Sequence, residues 1–192
     1  DAPTLASVDA VSFDEDGSGL TTLSGSDVDG DDLTYSISEG VDITAILDGS
    51  TVNFTASQDF NGSEEFTVIV TDGDLSASQT FTVTVNAIND APTLAAVAGV
   101  SFAEDGSSSL TLSGDDVDGD DLTYSISGGT DITALIDGVN ITFTASQDFN
   151  GSEEFTVIVT DGEFSASQTF TVTVTPVNDA PTLAAVAGVS FD

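Results

Sequence analysis

The feature that most constrains the fold of this chain is an internal repeat. The pentapeptide DAPTL occurs three times, and successive copies begin 89 residues apart, at Asp1, Asp90 and Asp179. Self-similarity at a fixed period is typical of an array built from one structural unit. We therefore predict one repeat at residues 1–89, a second at 90–178 and the first strand of a truncated third repeat at 179–192. Such an array suits a function that needs length or several equal modules more than it suits a single catalytic pocket.

Within one period, apolar residues alternate with Thr and Ser, as they do in strands that have one buried face. Dipeptides that favour tight turns, such as Asp16-Gly17 and Asn61-Gly62, separate these runs. The strands predicted in the first repeat are Leu5–Phe13, Leu20–Ser24, Leu33–Ile37, Val41–Leu47, Thr51–Ala56, Phe66–Val70 and Phe81–Val85. The pattern indicates an all-β fold of tandem seven-stranded Greek-key β-sandwiches of the immunoglobulin type, arranged head to tail.

The charged residues are all acidic. The chain has 34 Asp and Glu but no Lys, Arg or His, which gives a net charge of −34. Because no carboxylate can pair with a cationic side chain, cations from solution must offset the repulsion. The lack of basic residues argues against nucleic acid and anionic membrane surfaces as partners. No apolar stretch is long enough to span a membrane, and we expect any export signal elsewhere in the parent protein.

The composition also limits the chemistry. Without Cys, the chain has no disulfide, no thiolate zinc site and no Cys nucleophile; without His, it lacks the commonest general base. Paired carboxylates can hydrolyse glycosides, but here the same pairs recur in each copy and nothing in the sequence suggests a substrate pocket. We therefore do not predict an enzyme.

The acidic residues are concentrated in loops that would lie at the two ends of each sandwich. Strand direction reverses at every turn, so alternate loops lie at opposite ends. The end of the first repeat and the start of the second would then contribute eight oxygen ligands at their junction: Glu15, Asp59, Asn61, Asn89, Asp90, Asp116, Asp118 and Asp161. So many carboxylates are costly to bring together unless a cation lies among them.

Calcium is the cation that this ligand set favours. Calcium accepts six to eight oxygen ligands in flexible geometry, whereas magnesium keeps its waters, and transition metals seek the absent His and Cys. Equivalent residues form incomplete sets at the outer ends of the two repeats: Asp1, Asp27, Asp29 and Asp72 at one end, and Glu104, Asp148, Asn150, Asn178 and Asp179 at the other. An EF-hand is excluded because the glycine after Asp29 comes too early in the loop and no helices flank it.

Four motifs, in the same order in both copies, resemble the motifs of a cadherin repeat. They are Glu15–Gly17, Ser26–Ile37, Val70–Gly73 and Asn89–Pro92. The sequence is most similar to the bacterial cadherin-like tandem repeats of large calcium-dependent extracellular adhesins. The resemblance implies that the eight junction residues hold two or three calcium ions. It is incomplete at Ala87 and Ala91, where cadherins have an acidic residue and an Asn, and in the loop after the fifth predicted strand, where Asp59-Phe60-Asn61 replaces an acidic triplet.

The predicted function is that of a calcium-rigidified spacer, whose repeats extend a distal adhesive domain from the bacterial cell surface. The predicted partners are neighbouring repeats of the same chain, and the distal ligand is not identified. The alternative is a module that binds a glycan or associates with a like module, for example through Thr80–Val85 as a Thr-rich sheet edge. Adaptation to high salt is a rival explanation of the acidity.

Several residues also have structural interpretations. Solvated Asx turns would explain Asp27 and Asp29 without any ion. Four further acids are predicted to lie outside the direct ligand set or to be merely solvated: Asp16, Asp31, Asp32 and Asp120. Glu64 and Glu65, like their equivalents in the second copy, are predicted to form a solvated start of a strand. The Phe residues are predicted to form the core.

Overall fold

The computed structural model describes residues 1–185 and 188, and the chain divides into two compact units, Asp1–Asn89 and Asp90–Asp192. The predicted first strand of a third repeat, at 179–192, lies partly outside the described residues. Residues 179–185 within it form no strand. In the described residues no helix has the length and the hydropathy needed to cross a lipid bilayer.

The first unit is an all-β sandwich. Its strands are β1 (Thr4–Leu5), β2 (Val11–Asp14), β3 (Ser18–Thr22), β4 (Gly25–Ser26), β5 (Thr34–Ile37), β6 (Ile43–Asp48), β7 (Thr51–Ala56), β8 (Gly62–Thr71) and β9 (Ser76–Asn86). A four-stranded sheet has the order β2-β9-β8-β5, a three-stranded sheet has the order β3-β7-β6, and β1 pairs with β4. Within residues 1–89, β2 pairs with β9 in parallel and the other strand pairs are antiparallel. The predicted all-β fold class is confirmed.

The prediction of one continuous first strand, Leu5–Phe13, is wrong. The segment forms two strands, because β1 pairs with β4 whereas β2 pairs with β9. Between them, the side-chain amide of Gln79 takes the place of a strand partner: its Nε2 donates to the Leu5 carbonyl at 3.0 Å and its Oε1 accepts from the Val8 N–H at 3.1 Å. The backbone groups at the break are therefore satisfied without a ladder.

Thr80–Val85 is a sheet edge only in part. It belongs to β9, and its residues 83–85 pair with β2 on one side and with β8 on the other, whereas residues 80–82 pair with β8 alone. The edges of that sheet are β2 and β5, and those of the smaller sheet are β3 and β6. Self-association through the whole of Thr80–Val85 would require displacement of β2 from residues 83–85.

The core of the first unit joins the two large sheets. Phe54 of β7 packs edge-on against Phe66 of β8, with ring centroids 5.3 Å apart, and against Phe81 of β9 at 6.0 Å. Both Phe54 and Phe66 are fully buried. Burial of each such ring contributes about 1.5–3 kcal/mol. The alternation of apolar and Thr residues thus places one face of every long strand in this core.

The second unit repeats this architecture. Its strands are β10 (Thr93–Leu94), β11 (Val100–Ala103), β12 (Ser107–Thr111), β13 (Gly114–Asp115), β14 (Thr123–Ile126), β15 (Ile132–Asp137), β16 (Asn140–Ala145), β17 (Gly151–Thr160) and β18 (Ser165–Thr175). Phe143, Phe155 and Phe170 form the equivalent aromatic cluster. The core prediction is wrong for Phe164, which is 43% exposed because it lies in the turn between β17 and β18.

A carboxylate near the start of β8 has a structural role that the sequence did not show. Glu64 accepts hydrogen bonds from the N–H groups of Val41 at 3.0 Å and Asp42 at 2.7 Å. Its equivalent, Glu153, accepts from three consecutive N–H groups, those of residues 130–132. These bonds, that from Asp131 most of all, lower the pKa of Glu153 from its usual value. The prediction of a solvated strand start is therefore wrong for Glu64.

Candidate metal centres

The loop between β4 and β5 brings three carboxylates together. Carboxylate oxygens of Asp27, Asp29 and Asp31 lie within 4.8 Å of one another. The loop folds tightly because Asp27 Oδ1 accepts the N–H of Asp29 at 2.8 Å and Gly30 adopts a left-handed conformation, with φ of +81°. We call the end of each unit that carries this loop its N-terminal pole. The predicted Asx turn is thus present, together with a carboxylate cluster.

Asp1 and Asp72 lie at the same pole. The α-amino group of Asp1 donates a hydrogen bond to the Asp29 carboxylate. This bond raises the pKa of the amino group, and the charges of Asp27, Asp72 and Asp31 raise it further. Asp72 Oδ1 accepts the N–H groups of Leu75 at 2.7 Å and of Asp74 at 2.8 Å, which lower the pKa of Asp72. The four residues predicted for this pole are therefore close to one another.

The N-terminal pole of the second unit has the same arrangement. Asp116, Asp118 and Asp120 offer carboxylate oxygens within 4.8 Å of one another. The backbone N–H of Asp90 donates to Asp118 Oδ2 at 2.7 Å, and Asp161 Oδ1 accepts the N–H groups of residues 163 and 164 at 2.6 Å. The third acid of each cluster, Asp31 or Asp120, is a member that the sequence interpretation left out of the ligand set. The regular Asp-x-Asp-x-Asp spacing was the signal for it.

Two carboxylate oxygens at these poles are buried without a hydrogen-bond partner. They are Asp27 Oδ2 and Asp116 Oδ2, at equivalent positions. The other oxygen of Asp116 accepts the N–H groups of Asp118 at 3.0 Å and Asp120 at 3.5 Å. An unsatisfied buried acceptor costs about 1–3 kcal/mol, and more when it is charged. A cation at each of these two poles would satisfy the orphaned oxygen there.

The opposite end of each unit has a buried glutamate. We call this end, with the β2–β3 turn, the β7–β8 loop and the segment after β9, the C-terminal pole. Glu15 is only 6% exposed and Glu104 only 7%. In each, Oε1 accepts a backbone N–H at 2.5 Å, from Ile88 and Val177 respectively. Glu15 Oε2 is buried with no hydrogen-bond partner.

At the C-terminal pole of the second unit, three loops bring acids together. Carboxylate oxygens of Asp105, Asp148 and Asp179 lie within 4.8 Å of one another. Asn150 Nδ2 is 3.5 Å from Glu104 Oε2, and Asn178 Nδ2 donates to the carbonyl of Asp179 at 3.2 Å. The structure thus gathers the residues predicted for this pole and adds Asp105, the equivalent of Asp16, which the sequence interpretation left out of the ligand set.

The predicted junction residues are divided between the two units. Glu15, Asp59, Asn61 and Asn89 belong to the first unit, whereas Asp90, Asp116, Asp118 and Asp161 belong to the second. In the first unit, Asp59 has a left-handed backbone, with φ of 55°, and its Oδ2 accepts from the side chain of Gln58 at 3.2 Å. The sharing of ions between these first-unit residues and these second-unit residues remains a prediction.

The ligand chemistry of both poles fits a hard cation. The donors are carboxylate and amide oxygens, which calcium prefers, and no softer ligand is present in the sequence. The described donors come from several loops, so their geometry can adapt to the irregular coordination that calcium accepts.

Comparisons with solved structures agree with the fold. The structure is similar to the Drosophila N-cadherin EC1-4 fragment, with a TM-score of 0.61, 18% sequence identity and coverage of 93% of this chain and 50% of that chain. It is also similar to human Protocadherin-24 EC1-2, with a TM-score of 0.59, 17% identity and coverage of 90% and 98%. At these identities the similarity shows the fold alone.

Comparisons of sequence give the family. Chitinase A of Pseudoalteromonas piscicida is 30% identical over 161 residues, which cover 82% of this chain but only 20% of that protein. The model of a bacterial Ig domain matches twice, at residues 1–86 and 89–175. Since these two matches cover most of its length, the chain belongs to the bacterial Ig domain family.

Proposed function

We propose that the two units are calcium-binding spacer repeats of a large extracellular bacterial adhesin. The observation that carries the proposal is the burial of carboxylate oxygens without partners in a chain that has no cationic side chain. These oxygens belong to Glu15, Asp27 and Asp116. A buried, unpaired charge is strongly destabilising, so the fold gains stability when a cation enters. Calcium fits the all-oxygen donor set of both poles.

In this proposal, calcium converts a flexible chain into a rod. The linker between the repeats, residues 87–92, is short, and the uniform negative charge would push acidic poles apart in the absence of an ion. Ions shared by Glu15, Asn89 and the Asp116–Asp118 loop would hold successive repeats in line. Extracellular modules bind calcium with dissociation constants of about 10⁻⁴–10⁻³ M, so such an array would stiffen only outside the cell.

The role is structural, and the partners are the neighbouring repeats. The carboxylate clusters of the N-terminal poles recur at equivalent positions in both units, as expected for a spacer in which each copy has the same role. Projection of a distal adhesive domain from the bacterial surface would use the length of the array. We assign the chain no catalytic role.

Small-angle X-ray scattering of the 192-residue chain tests this proposal. We expect the maximum dimension to increase in about 5 mM calcium, a concentration above the typical dissociation constants, relative to the same protein in chelator. The double variant Asp116→Asn with Asp118→Asn should lose the response. The control is Glu65→Gln with Glu154→Gln, which removes the same charge from exposed strand positions. Identical wild-type profiles in calcium and chelator would refute the rod.

A ligand-binding module is the second candidate function. The observation that favours it is the 30% identity to part of a protein named Chitinase A, although the chain spans only a fifth of that protein. Sedimentation of the chain with insoluble chitin, with and without calcium, separates the two functions. Retention of the protein on chitin would favour a glycan-binding module, whereas full recovery in the supernatant with an intact scattering response would favour the spacer.

A further inference from the structure

We propose that Asp105, and Asp16 at the equivalent position of the first unit, binds the cation of the C-terminal pole directly. The inference rests on the proposed calcium function and adds a ligand that neither the sequence motifs nor the family resemblance assigned. In the second unit, a carboxylate oxygen of Asp105 lies within 4.8 Å of oxygens of Asp148 and Asp179. All three acids belong to the second compact unit: Asp105 and Asp148 lie in the second repeat, and Asp179 is the first residue of the next 89-residue period.

A buried carboxylate points independently to an ion at this place. Glu104 immediately precedes Asp105 and is only 7% exposed. Its Oε1 accepts the N–H of Val177, two residues before Asp179, and its Oε2 lies 3.5 Å from Nδ2 of Asn150, two residues after Asp148. Glu104 therefore reaches the same loops that carry the other two acids of the cluster.

The first unit shows the buried glutamate in a sharper form, whereas the cluster of three carboxylates is observed around Asp105. Glu15 is the equivalent of Glu104; it is 6% exposed, and its Oε2 is buried with no hydrogen-bond partner. Asp16 follows it directly, as Asp105 follows Glu104. A bound cation would stabilise such a buried carboxylate oxygen, because the chain has no Lys, Arg or His to pair with it.

A tight turn determines where the Asp105 carboxylate lies. The Gly106 N–H donates to the Ala103 carbonyl at 3.0 Å, and Asp105 between them has a left-handed φ of 61°. Asn adopts this conformation as readily as Asp does. Asp105→Asn therefore removes the charge but keeps the turn, which makes it a suitable test variant.

A merely solvated Asp105 makes a different prediction. In that case Asp105→Asn would relieve repulsion from Asp148 and Asp179 in chelator and would weaken calcium binding only slightly, through the loss of one solvent-screened charge. If Asp105 is a ligand, the variant loses affinity, because the number of charged ligands sets the strength of a calcium site. Calcium affinity therefore separates the two interpretations, whereas stability alone does not.

The test is isothermal titration of the full 192-residue chain with calcium chloride. The variants are Asp105→Asn and Asp16→Asn, one for each unit. The matched controls are Asp137→Asn and Asp48→Asn, which make the same change at the end of β15 and of β6. We expect each test variant to weaken one class of site about tenfold or more, and each control to bind as the wild type does. Wild-type affinity and stoichiometry in both test variants would overturn the inference.

Two further variants keep the result unambiguous. Asp105→Gly also accepts the left-handed backbone and should lose affinity as the Asn variant does, while circular dichroism in chelator checks that both are folded. Glu104→Gln should lose the same class of site. If Glu104→Gln loses that class of site while Asp105→Asn binds calcium with wild-type affinity, the Asp105 inference is wrong and the calcium function stands. If the wild-type chain binds no calcium, the Asp105 inference and the proposed calcium function are both wrong.

Discussion

Neutralisation of the buried glutamate should change the stability of the first unit in opposite directions with and without calcium. Glu15 is 6% exposed, its Oε1 accepts the N–H of Ile88 at 2.5 Å, and its Oε2 has no partner. In Glu15→Gln, the side-chain oxygen can still accept from Ile88, but the buried negative charge is gone. The substitution thus removes a penalty when the ion is absent and removes a ligand when it is present.

The magnitude in chelator follows from the orphaned oxygen. A buried unsatisfied group costs about 1–3 kcal/mol, and more when it is charged. The Gln amide leaves a smaller penalty of the same kind, so we expect a net gain of about 1–2 kcal/mol in the free energy of unfolding. For a domain of this size, each kcal/mol shifts the melting temperature by about 4–8 °C. The variant should therefore melt roughly 5–10 °C above the wild type in chelator.

The magnitude in calcium follows from mass action. In about 5 mM calcium, an ion with a dissociation constant of about 10⁻⁴–10⁻³ M stabilises the folded state by about 1–2 kcal/mol. Glu15→Gln should lose most of this gain for the first unit, so its melting temperature should barely respond to calcium. The wild type should respond by roughly 5–10 °C for each ion bound.

Differential scanning calorimetry in chelator and in calcium measures both effects. Glu65→Gln is the matched control, because Glu65 is exposed on the outer face of β8 and the change in charge is the same. The control relieves only general repulsion and should keep the full calcium response. A Glu15→Gln variant that is less stable in chelator, or that keeps the wild-type calcium response, would refute the assignment of a cation to this carboxylate.

Two further predictions concern the fold. Gly129→Ala should lower the free energy of unfolding by about 1–3 kcal/mol, because the added Cβ would lie 2.2 Å from the Ile132 carbonyl oxygen. The control is Gly128→Ala, whose Cβ would meet nothing within 4 Å. Equal urea midpoints for the two variants would contradict the prediction. Glu153→Gln should destabilise the second unit mainly above pH 4.5, the usual pKa of the group. The pKa of Glu153 is lower in the folded state than in the unfolded state. Its contribution to the free energy of unfolding is therefore complete at pH values above the unfolded-state pKa, and it is lost as the pH falls through the folded-state pKa. An unfolding difference that stays constant from neutral to acid pH would contradict this.

The fold could be predicted from the sequence because its signals are local and repeated. Alternation of Phe and Val with Thr marks the buried face of β8 and β9, and the glycine turns separate the strands. What the sequence does not show is pairing over long range. The break between β1 and β2 depends on the Gln79 side chain, 74 residues from Leu5. The central place of β9 likewise depends on its parallel pairing with β2, which no local period indicates.

The candidate sites were predictable as loops but not as complete donor sets. Alternation of loops between opposite ends was enough to place Asp27, Asp29 and Asp72 at one pole. Asp105 was missed because its contribution depends on a left-handed turn that aims the carboxylate at loops some 40 and 70 residues away in sequence. A side chain that looks solvated in the sequence can therefore belong to a cluster once the backbone conformation is known.

The position of the buried acids separates a specific ion site from general adaptation to salt. Adaptation to high salt would place Asp and Glu on exposed surfaces, where they bind water and ions loosely, and it gives no reason to bury a carboxylate. In the described part of the chain, the buried charged side chains are Glu15 and Glu104, which hold equivalent positions in the two units. Burial of a charge without a cationic partner is among the costliest features that a fold can contain. Its recurrence at one pole of each unit therefore favours a bound cation as the partner, whatever the remaining acidic residues contribute to solubility.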